Sequence, residues 1–450
     1  MNKNRSSRRQ FLQLATTAAA SAPFLLPSRI WSASRKPNDR ITVGVIGVGK
    51  QGVGLMHGFL GSKDIQVMAV CDVDTSRREN ARRIVDTHYA KQGGANYRSC
   101  AAYADFRELI AGDDVDAVVI ATPDHWHALI TIAAADAGKD IYCEKPLCQS
   151  IHEARAMVNA VQRNKRIFQT GSMQRSAREF RIACELVQNG VIGKIKTVHV
   201  GVGGPSIPCD LPEEKAEPGL DWNLWLGPAP MRPYNSVLSP RGVHNHYPAW
   251  RNYSEYGGGA VTDWGAHHFD IAQWGLGMDH SGPVEIIPPV EYENAQQGVK
   301  FIYANGVEMF HISENGVTFT GTDGKIMVNR GKFALELKGV QKAKSLSNQD
   351  KPSLGDQLDA AEKEFLSNTP IKLYKSANHL TDFIASVRSR QQPVTGVEIG
   401  ARTVSVCHLA NFAYHHGQII KWDPAREQFV GGTGNRKWLD VSYRGPWKLT

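Results

Sequence analysis

Four short runs of mostly apolar residues, 41–46, 65–71, 115–121 and 140–143, recur through the first third of the chain. None alternates strictly with polar residues, so each reads as a strand buried on both faces, the pattern of a parallel sheet. Between them lie stretches of helical character: one through Leu55, Met56 and Phe59, then 76–90, 105–110 and 128–137. Strands alternating with helices predict an α/β fold with a doubly wound parallel sheet. Helices are also expected at 151–164 and 177–189, with 168–175 crossing out of the first domain and a strand within 191–202. Beyond residue 298 the pattern changes. Segments 298–312 and 316–328 alternate around Asn305-Gly306 and Asp323-Gly324, which are hairpin signals. They predict a C-terminal α+β domain on a large, open, mostly antiparallel sheet. Polar 342–351 reads as a loop, 379–390 and 400–417 as helices, and 422–450 as an irregular tail. The expected organisation is a nucleotide domain over 38–165, a second domain over 166–421, and the tail, because so long a chain exceeds one typical core.

The first strand runs into Gly47-Val48-Gly49-Lys50-Gln51-Gly52, a Gly-x-Gly-x-x-Gly turn opening a helix. Gly47 makes the tight turn, Gly49 admits a pyrophosphate close to the backbone, and Gly52 lets helix and strand pack. The pyrophosphate would rest on the free amides of the helix start, beside Lys50 and Gln51. The second strand ends in Asp72, twenty residues after Gly52, where an acid bonds the ribose hydroxyls of NAD. Arg77 and Arg78 follow and could meet the extra phosphate of NADP, but Asp72 would repel it, so NAD is the expected cofactor. The third strand delivers Thr122, Pro123, His125 and His127 to the carboxyl edge of the sheet, where such folds bind ligands; the fourth delivers Glu144 and Lys145.

The N-terminus, Ser7-Arg8-Arg9-Gln10-Phe11-Leu12 followed by a mild apolar run and Ser32-Ala33-Ser34, resembles a twin-arginine export signal over 1–34. Its apolar run is too short for a stable membrane span. The resemblance implies export to the periplasm through the twin-arginine machinery, which carries folded proteins, and hence a tightly held cofactor. Losing Lys3, Arg5, Arg8, Arg9 and Arg29 with that segment takes the formal net charge from +8 to +3. No clustered basic face remains to suggest nucleic acid. Seven scattered cysteines lack metal-ligand spacing and read as small buried hydrophobes.

Ala-Thr-Pro ending at Pro123 and Glu-Lys-Pro over 144–146, on a nucleotide fold, resemble the glucose–fructose oxidoreductase / inositol dehydrogenase / rhizopine-catabolism (Gfo/Idh/MocA) family. A second match is Gly257-Gly258-Gly259 followed by Asp263, Gly265, His267 and Asp270. The resemblance implies that Lys145 lies between nicotinamide and substrate, that His267 is the acid/base, that Asp263 contacts substrate, and that the open sheet often mediates oligomerisation, giving a homodimer or tetramer. Helical spacing would put Asp263 and His267 one turn apart on one face. Arg175 suits either a substrate contact or a structural ion pair. The aromatic and polar stretch with His244, His246, Tyr247, Trp250 and Arg251 suits either a carbohydrate platform or a loop pinned by its rings; His246 and Trp250 are the substrate candidates. The histidines at 244, 246, 267 and 268 lack a completing Cys or paired carboxylate, so no metal is expected. These parts predict an NAD-dependent oxidoreductase acting on a CH–OH group of a sugar, glycoside or cyclitol. Two alternatives stay open: an NAD-dependent glycosidase working by oxidation, elimination and reduction, and a non-catalytic sugar-binding protein.

Overall fold

The computed structural model of the chain describes residues 39–92 and 100–449. The export signal expected over 1–34 lies outside the described residues. The N-terminal sheet has six strands: β1 Ile41–Ile46, β2 Ile65–Cys71, β3 Ala101–Tyr103, β4 Ala117–Ile120, β5 Asp140–Cys143 and β6 Phe168–Thr170. Their order is β3-β2-β1-β4-β5-β6 and every pair is parallel. The order reverses between β1 and β4, which opens a crevice at their carboxyl ends. The expected boundary at residue 165 falls too early. Phe168–Thr170 pairs in parallel with Ile141–Cys143 and closes this sheet instead of leaving it.

Ten strands form the second sheet: β7 Ile195–Gly201, β8 Glu285–Ile287, β9 Lys300–Ile302, β10 Glu308–Ile312, β11 Gly316–Gly321, β12 Gly324–Asn329, β13 Lys332–Leu337, β14 Val340–Ser345, β15 Ile420–Asp423 and β16 Gln428–Phe429. All its pairs are antiparallel except β7 with β10. Two expectations are corrected here. Residues 342–351 begin as strand, because β14 is an edge whose side chains are solvated except Ala343 and Ser345. Nor is the tail wholly irregular: β15 and β16 extend the sheet, and Trp422 and Phe429 pack edge to face at 5.4 Å.

One helix, Val397–His416, serves both sheets. Val397, Ala401 and Val404 are buried with the nucleotide sheet's β4 and β5 residues. Val406, Cys407, Leu409, Ala410 and Ala413 are buried in the core of the second sheet. Of the seven cysteines, six are buried and Cys209 is half-buried; none is bridged.

Candidate active site

The turn after β1 has the geometry its glycines imply. Gly47 has φ +83°, and a Cβ there would stand 2.7 Å from the Ala121 carbonyl carbon and the Thr122 nitrogen. A Cβ on Gly52 would stand 1.8 Å from the Gly47 oxygen. Gly49 faces open space, with nothing within 4 Å of where its Cβ would be. The helix Lys50–Leu60 begins there with no side-chain cap, so its first amides are free for an anion.

A groove runs along this turn, lined among others by Gly47, Gly49, Lys50, Asp72, Thr122 and Pro123. Asp72 accepts hydrogen bonds at 2.9 Å from both Val48 N and Asp74 N, which fixes its carboxylate at the groove wall. Burial pushes its pKa up against these bonds and the pull of Arg77. The Thr122 hydroxyl is buried without a partner. Neither arginine is free for a 2′-phosphate. Arg77 donates to Gly242 O at 3.2 Å, to Ser239 Oγ at 3.3 Å and to Pro240 O. Arg78 donates to Asp72 O at 2.7 Å. An open Gly49, uncapped amides, an orphaned hydroxyl and a fixed carboxylate suit NAD.

The far wall of the groove comes from the long segment 203–256. Thr75 N donates to Gly219 O at 2.9 Å, and Arg77 holds residues 239–242. Tyr247 donates to Gln51 Oε1 at 3.1 Å while the Lys50 ammonium lies 4.4 Å from its ring centre.

A second chamber adjoins the groove and shares Gln51, Thr122, Tyr247, Trp250 and Arg251 with it. Its walls include Asp124, Glu144, Lys145, Asp263, His267 and Arg330. Lys145 Nζ donates to Asp263 Oδ1 at 2.6 Å and to Asp263 O at 2.9 Å. Arg251 Nε lies 3.7 Å from the same carboxylate. Burial works to raise the Asp263 pKa, but Lys145 and Arg251 hold it below the usual value. His267 is 6% exposed and its Nδ1 has no partner. Burial, then the positive charge of Lys145 and Arg330, pushes its imidazole well below the ordinary pKa. Its neutral ring is therefore a base at neutral pH. Asp263 and His267 do not share one continuous helix: Ala260–Asp263 and Gly265–Gly275 meet at Trp264. The aspartate serves Lys145, and no hydrogen bond joins it to the imidazole.

Four expected site residues stand elsewhere. Arg175 is 1% exposed and its guanidinium is spent on Asp270 at 2.7 and 2.8 Å and on Asp279 at 2.8 Å, so it cannot reach substrate. His125 does not line the groove; its Nε2 lies 3.0 Å from Trp225 O, pinning the covering segment. His127 lies 2.8 Å from Pro146 O and 3.0 Å from Thr122 O, packed between the two strand-end loops, and its neutral ring donates its single N–H to one of these carbonyls. Burial lowers both histidines to about 4. His246 is exposed and lines neither cavity, whereas Trp250 is buried between them. Gly52 packs beneath the turn, and Glu144 accepts from Gln51 Nε2 at 2.9 Å. Among the described residues no group of three His, Cys, Asp or Glu is placed to hold a metal; His268 Nδ1 is 2.8 Å from Gly201 O.

Three further residues line the chamber: Asp124 and Arg330, which the sequence did not single out, and Arg251, which it placed only in the ring-rich stretch. Asp124 is 3% exposed with no hydrogen bond to its carboxyl, which burial pushes well above the usual range. It lies between Pro123 and His125 at the strand end. Arg251 neighbours Trp250 and stacks on it at 4.2 Å. Arg330 carries no local signal, since only the sheet brings it here.

A Rossmann sheet whose switch-point groove opens onto a lysine–histidine chamber defines the class: a nicotinamide-nucleotide oxidoreductase fold. The model for the Gfo/Idh/MocA oxidoreductase family's NAD-binding Rossmann fold matches residues 41–172, and that for its C-terminal alpha/beta domain matches 206–361. Together they take in more than half of the chain, which belongs to this family. A glycosyl hydrolase family 109 protein of Solibacter usitatus is 31% identical over 170 residues, 36% of this chain and 38% of that one. The chain thus matches well under half the length of such curated relatives. Among solved structures, myo-inositol 2-dehydrogenase from Lactobacillus plantarum superposes with TM-score 0.55 at 19% identity, covering 85% of this chain and 99% of that one. The WlbA dehydrogenase of Chromobacterium violaceum, in complex with NADH and UDP-GlcNAcA, gives TM-score 0.59 at 15% identity, covering 86% and 97%. At such identities these two show the fold alone.

Proposed function

We propose that this chain is an NAD-dependent oxidoreductase acting on a CH–OH group of a sugar, glycoside or cyclitol, with its cofactor tightly held. One observation carries the reading: Lys145 and a buried, neutral His267 share a chamber that opens directly onto the nucleotide groove. NAD bound in the groove supplies the hydride acceptor. His267 takes the proton of the substrate hydroxyl. Lys145 has three N–H donors, two of them spent on Asp263, and the third bonds the oxygen that becomes negative. Asp263, held ionised, keeps that ammonium in place.

Replacing Lys145 or His267 by alanine is expected to lower hydride transfer about 10²–10⁴-fold while leaving NAD bound, because the groove's contacts lie elsewhere. Single-turnover absorbance of NADH together with mass analysis of released nucleotide measures both. Near-normal turnover in His267→Ala would end the acid/base assignment.

The likeness to a glycosyl hydrolase family 109 protein favours a second reading, in which oxidation of a ring carbon acidifies a neighbouring proton and elimination cleaves the glycosidic bond. NADH that rises and then vanishes as free sugar appears would select it. NADH that accumulates until a carbonyl acceptor is added would select the dehydrogenase.

We further infer export through the twin-arginine pathway, from Arg8 and Arg9, and a homo-oligomer on the open sheet. Changing both arginines to lysine should strand the precursor inside the cell; continued secretion of that double variant would refute the signal.

A further inference from the structure

The chamber brings together three cations, Lys145, Arg251 and Arg330, and three carboxylates, Asp124, Glu144 and Asp263, but does not pair them one to one. Lys145 and Arg251 converge on one carboxylate, Asp263. A third cation, Arg330, reaches the chamber from the turn between β12 and β13. With the Gln174 amide turned to satisfy its neighbours, its oxygen accepts from Arg330 Nε at 3.1 Å and its nitrogen donates to His267 O at 2.9 Å. Its guanidinium lies over the Trp264 ring at 4.9 Å. Among the described residues no carboxylate pairs with it, and its two terminal nitrogens bond nothing. The chamber's other acids are poor counter-ions. Asp124 and Glu144 are 3% and 5% exposed, and Glu144 already accepts from Gln51.

Trp264 is 37% exposed and lines the same wall. With Arg330 over one face, the exposed remainder of the indole offers an apolar surface for the C–H groups of a sugar ring. A guanidinium edge beside it meets a planar or tetrahedral oxyanion in the two-pronged way that guanidinium favours. Both features stand within the chamber that holds Lys145 and His267, so one small molecule can engage all four.

We propose that the substrate is a sugar carrying an anionic substituent, a carboxylate or a sulfate ester, bound by Arg330 with its ring against Trp264. The inference rests on the oxidoreductase reading only in taking this chamber as the substrate's.

The test is calorimetric titration of the NAD-loaded protein with methyl glucuronide, methyl glucoside 6-sulfate and methyl glucoside. At least one acidic glycoside should bind about tenfold or more tightly than the neutral one, the worth of a charge-assisted hydrogen bond, and added salt should shrink the margin. The two acidic glycosides separate carboxylate from sulfate. Arg330→Gln should erase the margin, and Arg330→Lys should keep part of it, since charge remains but the fork is lost. Equal binding of the neutral glycoside, equal weakening of all three in Arg330→Gln, or binding of none would overturn the proposal. Selective binding of an acidic glycoside with no NADH formed would leave the anion site standing and remove the oxidoreductase reading. NADH formed equally well from methyl glucoside would do the reverse.

Discussion

His267 acts as a base only while its ring is neutral, and three features of its surroundings keep it so: burial, Lys145 and Arg330. Each disfavours the imidazolium, so protonation is deferred to lower pH than for a free histidine, about 6.5. The acid limb of a kcat/KM profile should therefore lie below pH ~6.5, and Arg330→Gln should move it upward. A limb above that value, or one unmoved by the substitution, would mean that another group titrates. Lys145 and His267 were legible in the sequence because short spaced motifs mark them. Other residues were not, for reasons of direction. His125 and His127 sit in the expected loop at the carboxyl edge, but on the first turn of the helix Asp124–Asp136 neighbouring side chains point different ways. Asp124 faces the chamber, while both histidines turn toward backbone carbonyls. Residue identity says nothing of that choice.

At the scale of elements, the helix Gly265–Gly275 carries His267, and Arg175 sets where it sits. Its guanidinium clasps Asp270 on that helix and Asp279 beyond it, while Thr403 Oγ1 donates to Asp270 at 2.9 Å. Removing one partner of so buried a pair leaves charge uncompensated, so Arg175→Ala should cost about 3–5 kcal/mol of stability, visible as a large fall in Tm. A variant that melts like the parent but has a raised KM would restore the substrate role that the sequence left open. Strands with strong apolar runs, β1, β2, β4 and β5, were legible because they are buried on both faces. β14 was missed because an edge strand needs few apolar residues, and β6 was misplaced because its neighbour β5, not its own three residues, decides which sheet it joins.

At the scale of the whole molecule, the segment 203–256 roofs the nucleotide groove. Read alone, it offered a sugar platform or a pinned loop; the bonds of Tyr247 to Gln51 and of Arg77 to residues 239–242 place much of it along the nucleotide groove, while Trp250 and Arg251 also line the chamber. Dinucleotide release must lift this roof. Tyr247→Ala removes one hydrogen bond and two cation–π contacts, with Lys50 and Arg251, and should speed NAD release by on the order of tenfold or more. Loss of nucleotide during gel filtration, timed against the parent protein, measures it; identical retention would show that the roof does not gate the groove. The long segment was hard to read because its aromatic rings serve packing, cover and chamber wall at once, and composition does not separate these uses.

The helix Val397–His416 lies with one half in each core. Descent must respect that. A recombination that exchanged either sheet for a relative's would present half of this helix with unfamiliar neighbours, so a chimera that exchanges both sheets together should melt higher than one that exchanges either alone. Changes at Ala401 and Cys407, two turns apart on one rod, are felt on opposite sides of the molecule, and substitutions tolerated in one half select which substitutions the other can accept.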